Sequence, residues 1–228
     1  MNVLGVIPAR GGSKGIPNKN LALLCGRPLL AYTADAAKAS TTLTRTIVST
    51  DDEQIAAGAK SLGLEVVMRP AALAADDTPM LPVLQHAIEA MRASGFNTDI
   101  VVLLQPTSPL RRAEHIDAAV VWLQRTRGDS IVSVVEVPHQ FNPASVMRVD
   151  DGWLKPFLDG PTATRRQDKP RVYARNGPAV LAVHARVIEG GSLYGNETWP
   201  LVMTPEESLD VDTAWDLKLI EHSLQTRL

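Results

Sequence analysis

Val3-Leu4-Gly5-Val6-Ile7-Pro8-Ala9-Arg10-Gly11-Gly12-Ser13-Lys14-Gly15-Ile16-Pro17-Asn18-Lys19-Asn20 is an apolar run followed by a glycine-rich loop with three cations and no acid. The run, bounded by Gly and Pro, predicts a buried strand. The loop then leaves a sheet at its carboxyl end, where open α/β sheets bind ligands. Gly11, Gly12 and Gly15 let backbone N–H groups come close to an anion, and Arg10, Lys14 and Lys19 bring full charge to the same place. This composition predicts a polyphosphate site. Neither Walker A spacing nor G-x-G-x-x-G is present. The plain alternative is a basic surface turn.

The chain of 228 residues, 45% hydrophobic and 21% charged, is long enough for a full core, and is read as one domain over residues 1–228. A net charge of -2 gives no general drive toward nucleic acid or an anionic membrane, so phosphate binding must be local. With no signal-like start and no apolar run of spanning length, a soluble, cytoplasmic protein is expected. Cys25 is the one cysteine and is read as a small packing residue. The five histidines are scattered without zinc spacing.

Outward from the first strand, a Pro-led helix is predicted over 28–39, and a β-branched strand over 45–50 precedes Asp51-Asp52, placed as N-cap to the next helix. Strands at 65–70, 99–104 and 129–137 alternate with helices near 81–93 and from Ala113. Such strand-helix units of about 30 residues predict a mostly parallel sheet with flanking helices, joined by right-handed crossovers. The pattern breaks at 138–170, where Pro-punctuated pieces hold a hairpin of 145–149 and 153–158, turned by Asp150-Asp151-Gly152. Exposing Trp153, Phe157 and Val146, it is expected to need a partner surface. Val180–Val183 and Leu201–Met203 read as closing strands, followed by a helix from Thr213. In Asp210-Val211-Asp212, residues i and i+2 of an extended segment point to one side, a carboxylate pair suited to Mg²⁺, although Asp212 also reads as a helix cap.

The motif Ile7-Pro8-Ala9-Arg10-Gly11-Gly12-Ser13-Lys14-Gly15 with Lys19-Asn20 resembles the opening of the acylneuraminate cytidylyltransferase (CMP-N-acetylneuraminate synthetase) family. The resemblance continues through Ser49-Thr50-Asp51, Arg69-Pro70, Leu104-Gln105-Pro106-Thr107-Ser108-Pro109-Leu110-Arg111, Arg166-Gln167, Asn176-Gly177 and Ser208-Leu209-Asp210-Val211-Asp212-Thr213. It implies a Rossmann-like nucleotidyltransferase fold that transfers a cytidylyl group from CTP to an acidic 2-keto sugar, sialic acid or a related nonulosonate. It also implies a homodimer with 138–170 as the dimerisation arm.

By the same resemblance Arg10 and Lys19 bind the triphosphate beside the amides of Gly11, Gly12 and Ser13, while Asn20 and Arg69 read the cytosine. Gln105, Arg166 and Asn176 face the sugar, Arg166 by pairing with its carboxylate. Asp210 and Asp212 hold Mg²⁺. Arg10, Lys19 and Asp212 are the catalytic set, Arg111 takes a salt-bridge or helix-start role, and no general base stands out. The chain departs from the family at Pro79-Met80, where serines are common in the base loop, and around Phe141-Asn142-Pro143 and Val180 in the sugar half. A related enzyme for another acidic sugar such as Kdo, or a nucleotide-binding module without turnover, are the competing readings.

Overall fold

A computed structural model describes residues 1–13, 15–158 and 165–226. β1 (Val3–Pro8) leads through the loop to a short antiparallel pair, β2 (Leu23–Leu24) and β3 (Arg27–Pro28), and then to α1 (Leu29–Ala39). β4 (Arg45–Thr50), α2 (Glu53–Ser61), β5 (Glu65–Met68), α3 (Met80–Ala93), β6 (Ile100–Leu103), α4 (Ala113–Arg125) and β7 (Ser130–Glu136) follow. The hairpin is β8 (Met147–Asp150) with β9 (Trp153–Pro156). β10 (Tyr173–Arg175), β11 (Leu181–His184), α5 (Ala185–Glu189), β12 (Thr198–Met203) and α6 (Ala214–Thr226) complete the chain.

The main sheet runs β5-β4-β1-β6-β11-β7, with β12 on the outer side of β7 and β10 continuing the line of β11 along β7. β1 pairs in parallel with β4 and β6, β4 with β5, and β7 with β12; β11 runs antiparallel to both β6 and β7. The expected mostly parallel sheet is thus present with a reversed segment inserted beside β6. β2, β3, β10 and α5 are too short to leave a periodic signature.

Alternation within β1 divides the core. Val3 and Ile7 face Leu30, Ala34, Ile55, Ile116 and Val120 on one side of the sheet. Leu4 and Val6 face Leu84, Ile88, Met91 and Ile188 on the other. Burial on both faces explains why β1 and β6 read as continuous apolar runs rather than alternating ones. A third cluster, Ile16, Leu24, Leu29, Leu110, Val211 and Ile220, lies under the glycine loop and clamps it to the segment before α6. No helix among the described residues is long and apolar enough to cross a membrane.

Cys25 is not a packing residue: it is exposed at φ 48°, in the tight turn between β2 and β3. The hairpin forms as expected, turned by Asp151 and Gly152 at φ 51° and 81°, with Trp153 73% and Phe157 56% exposed.

Candidate active site

At the end of β1 the Ala9 amide donates to the Ser49 carbonyl at 2.9 Å, carrying the ladder one residue past the strand before the chain turns away at Arg10. The Gly11 amide donates to Asp51 Oδ1 at 3.1 Å, and a Cβ on Gly11 would stand 2.9 Å from Asp52 Oδ2. The paired acids therefore divide. Asp52 caps α2, accepting from the Gln54 and Ile55 amides at 2.7 and 3.0 Å, whereas Asp51 turns to the loop and to Arg69 Nη2 at 3.7 Å. Gly12 sits at φ 65°, where a side chain is strained.

These contacts frame a cavity of about 320 Å³ lined by Arg10, Ser13, Lys19, Asn20, Arg69 and Gln105 among others. Six residues assigned from the sequence thus meet at one place. Lys14 lies outside the described residues. Asn20 is buried and its amide donates to the Arg10 carbonyl at 3.0 Å, which holds the loop against its own return. Arg69 is buried; its pKa is pushed down first by burial and also by Arg10, with Asp51 acting the other way. Among the described residues its Nε is buried and meets no acceptor, while the side chain lines the cavity wall. Met80 and Thr78 line the same cavity, so the departure from serine falls on its wall.

Asp210-Val211-Asp212 alternates as expected: Val211 is fully buried, while Asp212 is exposed on the opposite side with the partly buried Asp210. The Val211 amide donates to the Thr107 carbonyl at 2.8 Å, fixing this segment beside the loop after β6. Asp210 Oδ1 accepts from Ser108 Oγ at 3.0 Å. Burial raises the pKa of Asp210 and the charge of Asp212 adds to the rise, while Lys19 and the Ser108 hydrogen bond oppose it. Lys19 Nζ spans the Val211 carbonyl at 2.8 Å and Asp212 Oδ1 at 3.2 Å. A Cβ on Gly15 would lie 2.6 Å from the Asp212 carbonyl, so only glycine permits this approach. The cap of α6 falls to Thr213, whose Oγ1 accepts from the Asp216 amide at 3.4 Å while Asp216 Oδ2 accepts from the Thr213 and Asp212 amides at 2.7 and 3.0 Å.

Asn176-Gly177 forms a bulge between β10 and β11. Arg175 pairs with Val134 and Leu181 with Val132, so five residues on this side span one residue, Ser133, on β7. Asn176 is buried inside the bulge, bonded to Ser133 Oγ at 2.6 Å and Ser208 Oγ at 2.9 Å. Its side chain is held by the protein rather than turned into the cavity. The bulge instead carries Gly177, at φ 115°, outward, where its carbonyl accepts from Gln105 Nε2 at 2.9 Å. Arg111 pins the base of this arrangement. It is buried and donates to the Gln105 and Ala179 carbonyls at 3.0 and 2.8 Å and to Thr33 Oγ1. Its contacts are carbonyls and a hydroxyl rather than a salt bridge, and burial pushes its pKa down.

Arg166 stands apart from the other assigned residues. It lies in a 3-10 turn at the return of the arm and lines a second cavity of about 690 Å³ with His139, Asn142, Lys169 and Arg171. Three residues of this region had no role assigned from the sequence. Asp76 pairs with Arg10 Nη1 at 2.5 Å from the segment between β5 and α3. Glu207 accepts from Arg112 Nη2 at 2.7 Å and lies 3.4 Å from His115 Nε2, tying α4 to the stretch before Asp210. Ser108 belonged to a quoted motif but had no assigned role.

A strand-loop carrying Arg10 and Lys19, the buried Arg69, and an acidic pair beside Lys19 thus meet around one cavity. Residues 4–178 match the sequence profile of the Cytidylyltransferase family. The chain is 36% identical over 229 residues to CMP-N,N'-diacetyllegionaminic acid synthase of Legionella pneumophila, covering 99% of this chain and 97% of that protein. It is 34% identical over 218 residues to N-acylneuraminate cytidylyltransferase of Escherichia coli, covering 95% of this chain. It spans 51% of that relative's length, and about half of several other curated relatives. Among solved structures, a CMP:2-keto-3-deoxy-manno-octonic acid synthetase complexed with CTP superposes over 100% of both chains with TM-score 0.74 at 18% identity, a likeness of fold. By profile and by identity to full-length relatives, this chain belongs to the cytidylyltransferase family.

Proposed function

We propose that this protein is a CMP-sugar synthetase: the anomeric hydroxyl of an acidic 2-keto sugar, sialic acid or a related nonulosonate, attacks the α-phosphorus of CTP and pyrophosphate leaves. The observation that carries the reading is the convergence of Arg10, Lys19, Asn20, Arg69 and Gln105 on one cavity at the carboxyl ends of β1 and β6. The names of the relatives support the substrate class.

In this reading the Gly12 and Ser13 amides and the Arg10 and Lys19 side chains receive the triphosphate, and the Gly11 amide, which donates to Asp51 Oδ1 in this structure, joins them only by leaving that carboxylate. Arg69, desolvated and with an unmet Nε donor, reads the base together with Asn20. Gln105, oriented by its bond to Gly177, faces the sugar side. Rate enhancement comes from positioning and from charges already in place before the reaction.

Asp210 and Asp212 fit Mg²⁺: two hard oxygen donors on one side of Val211, close enough that one charge raises the other's pKa. An Mg²⁺ held by two carboxylates would take its remaining ligands from phosphate and water. When bound, the ion would neutralise charge building on the phosphate oxygens.

A homodimer belongs to the same proposal. The arm of 138–170 exposes apolar residues on both of its strands, and Arg166 lines a cavity separate from the nucleotide cavity. An arm laid on a second copy would cover the first and bring the second to the sugar of the neighbouring site. A cytoplasmic location goes with this activity.

The test is pyrophosphate release with CTP, Mg²⁺ and a panel of keto-sugar acids that includes sialic acid, legionaminic acid and Kdo. Release with Kdo alone would move the substrate to the octulosonates. CTP binding without release for any acid would leave a nucleotide-binding module.

A further inference from the structure

We propose that Asp76 is an internal competitor for the phosphate-binding arginine, so that the segment of 71–78 must leave Arg10 before a triphosphate is held. This rests on the reading of Arg10 as a phosphate ligand. In the structure Arg10 Nη1 meets Asp76 Oδ1 at 2.5 Å, within the wall of the nucleotide cavity. Asp76 also takes part in an interaction besides this pair.

Three features make this pair a competitor rather than a brace. Its side chains are 32% and 38% exposed, so an incoming anion reaches them, whereas the Arg69 side chain of the neighbouring Arg69–Asp51 pair is only 4% exposed. The segment carrying Asp76 is weakly anchored. Its 3-10 turn, Ala71–Leu73, buries no residue, and Ala75 and Asp77 are exposed. Pro70 and Pro79 bracket it and restrict motion to the stretch between them. Finally, a carboxylate and a phosphate oxygen are acceptors of the same kind, so they compete for the Arg10 Nη1 donors that Asp76 holds in this structure.

The consequence is selective. A carboxylate that must be displaced weakens every ligand that engages Arg10 and leaves untouched any ligand that does not. It therefore lowers affinity for a triphosphate and for the pyrophosphate product together, and its return to Arg10 favours departure of that product. Lys19 is paired in the same way with Asp212, but Asp212 belongs to the acidic pair beside the loop.

The experiment measures binding of inorganic tripolyphosphate and of CTP by calorimetry, without added magnesium, for the wild type, Asp76→Asn and Asp77→Asn. Asp77 is the exposed neighbour, and its substitution removes the same charge from the same segment. Asp76→Asn is expected to tighten both ligands about two- to fivefold, the range for a part-exposed ion pair, with a clearly smaller change for Asp77→Asn. In an Arg10→Gln background the gain should vanish. Unchanged or weaker tripolyphosphate binding by Asp76→Asn overturns the proposal, as does an equal gain in the Arg10→Gln background. Tripolyphosphate binding without CTP binding in the wild type removes the cytidylyltransferase reading, and the competitor is then judged on the tripolyphosphate series alone.

Discussion

Lys19 Nζ lies 3.2 Å from Asp212 Oδ1, joining two residues 193 positions apart, and 2.8 Å from the Val211 carbonyl. The glycine loop after the first strand and the acidic segment before the last helix thus meet at one ammonium group. The buried cluster of Ile16, Leu110, Val211 and Ile220 beneath them holds the meeting in place. Neither half of this arrangement is complete without the other, because cation and carboxylate would both be solvated if separated.

Asp212→Asn is expected to abolish turnover while leaving the fold intact, since the Asp212 side chain is 77% exposed and contributes little to the core. Lys19→Ala should act in the same direction. The expected fall in kcat is on the order of 100-fold or more, as for other losses of a preorganised charge. Pyrophosphate release across a magnesium titration, with thermal melts alongside, checks both. Wild-type turnover of Asp212→Asn at limiting magnesium would remove Asp212 from the metal site.

Arg69 should make the protein select CTP. Its guanidinium and Asn20 line the cavity together, and a site built to hydrogen-bond one base edge rejects a base that lacks the matching groups. Thermal-shift titrations with CTP, UTP, ATP and GTP are expected to show the largest shift for CTP, and Arg69→Met to level the four. Equal shifts for the wild type would take base recognition away from Arg69 and Asn20.

Asp117 should control part of the acid stability. Burial acts to raise its pKa, but hydrogen bonds from Ser40 Oγ, the Thr41 amide and the Thr41 and Thr42 hydroxyls outweigh burial and bring it to about 2. A carboxylate with a depressed folded pKa adds stability that is complete above its unfolded value near 3.8 and is lost as pH falls toward 2. Urea unfolding of the wild type and Asp117→Asn should differ most above pH 5 and converge near pH 2. A constant difference across this range would mean that Asp117 acts through shape and not through charge.

Trp153→Asp is expected to turn a dimer into a monomer, because Trp153 is 73% exposed on a two-stranded hairpin with almost no core of its own. Sedimentation at low concentration reads the mass. The same variant should lose affinity for the sugar acid more than for CTP, since Arg166 lies in the returning end of the arm while the triphosphate loop lies after β1. Equal losses for the two ligands would detach the sugar site from the arm.

The sequence alone determined the strand-loop at residues 3–20, the alternating strand-helix units and the hairpin. Each is a local pattern: an apolar run cut by Gly and Pro, a period of 3.6 or 2, a turn rich in Asp and Gly. The spacing of Asp210 and Asp212 around a buried Val211 was legible for the same reason. Tertiary structure decided everything that depends on which distant residue arrives beside which. It sent Asp51 to the Gly11 amide and left Asp52 as the cap. It turned Asn176 inward to Ser133 and Ser208, because a bulge in a buried ladder needs its polar groups satisfied within the protein. It placed Arg166 in a separate cavity and set Asp76 on Arg10. Side-chain pairing across the fold carries no periodic trace in the chain, since a charged residue in a loop has the same local sequence whether it faces water, a partner or a ligand.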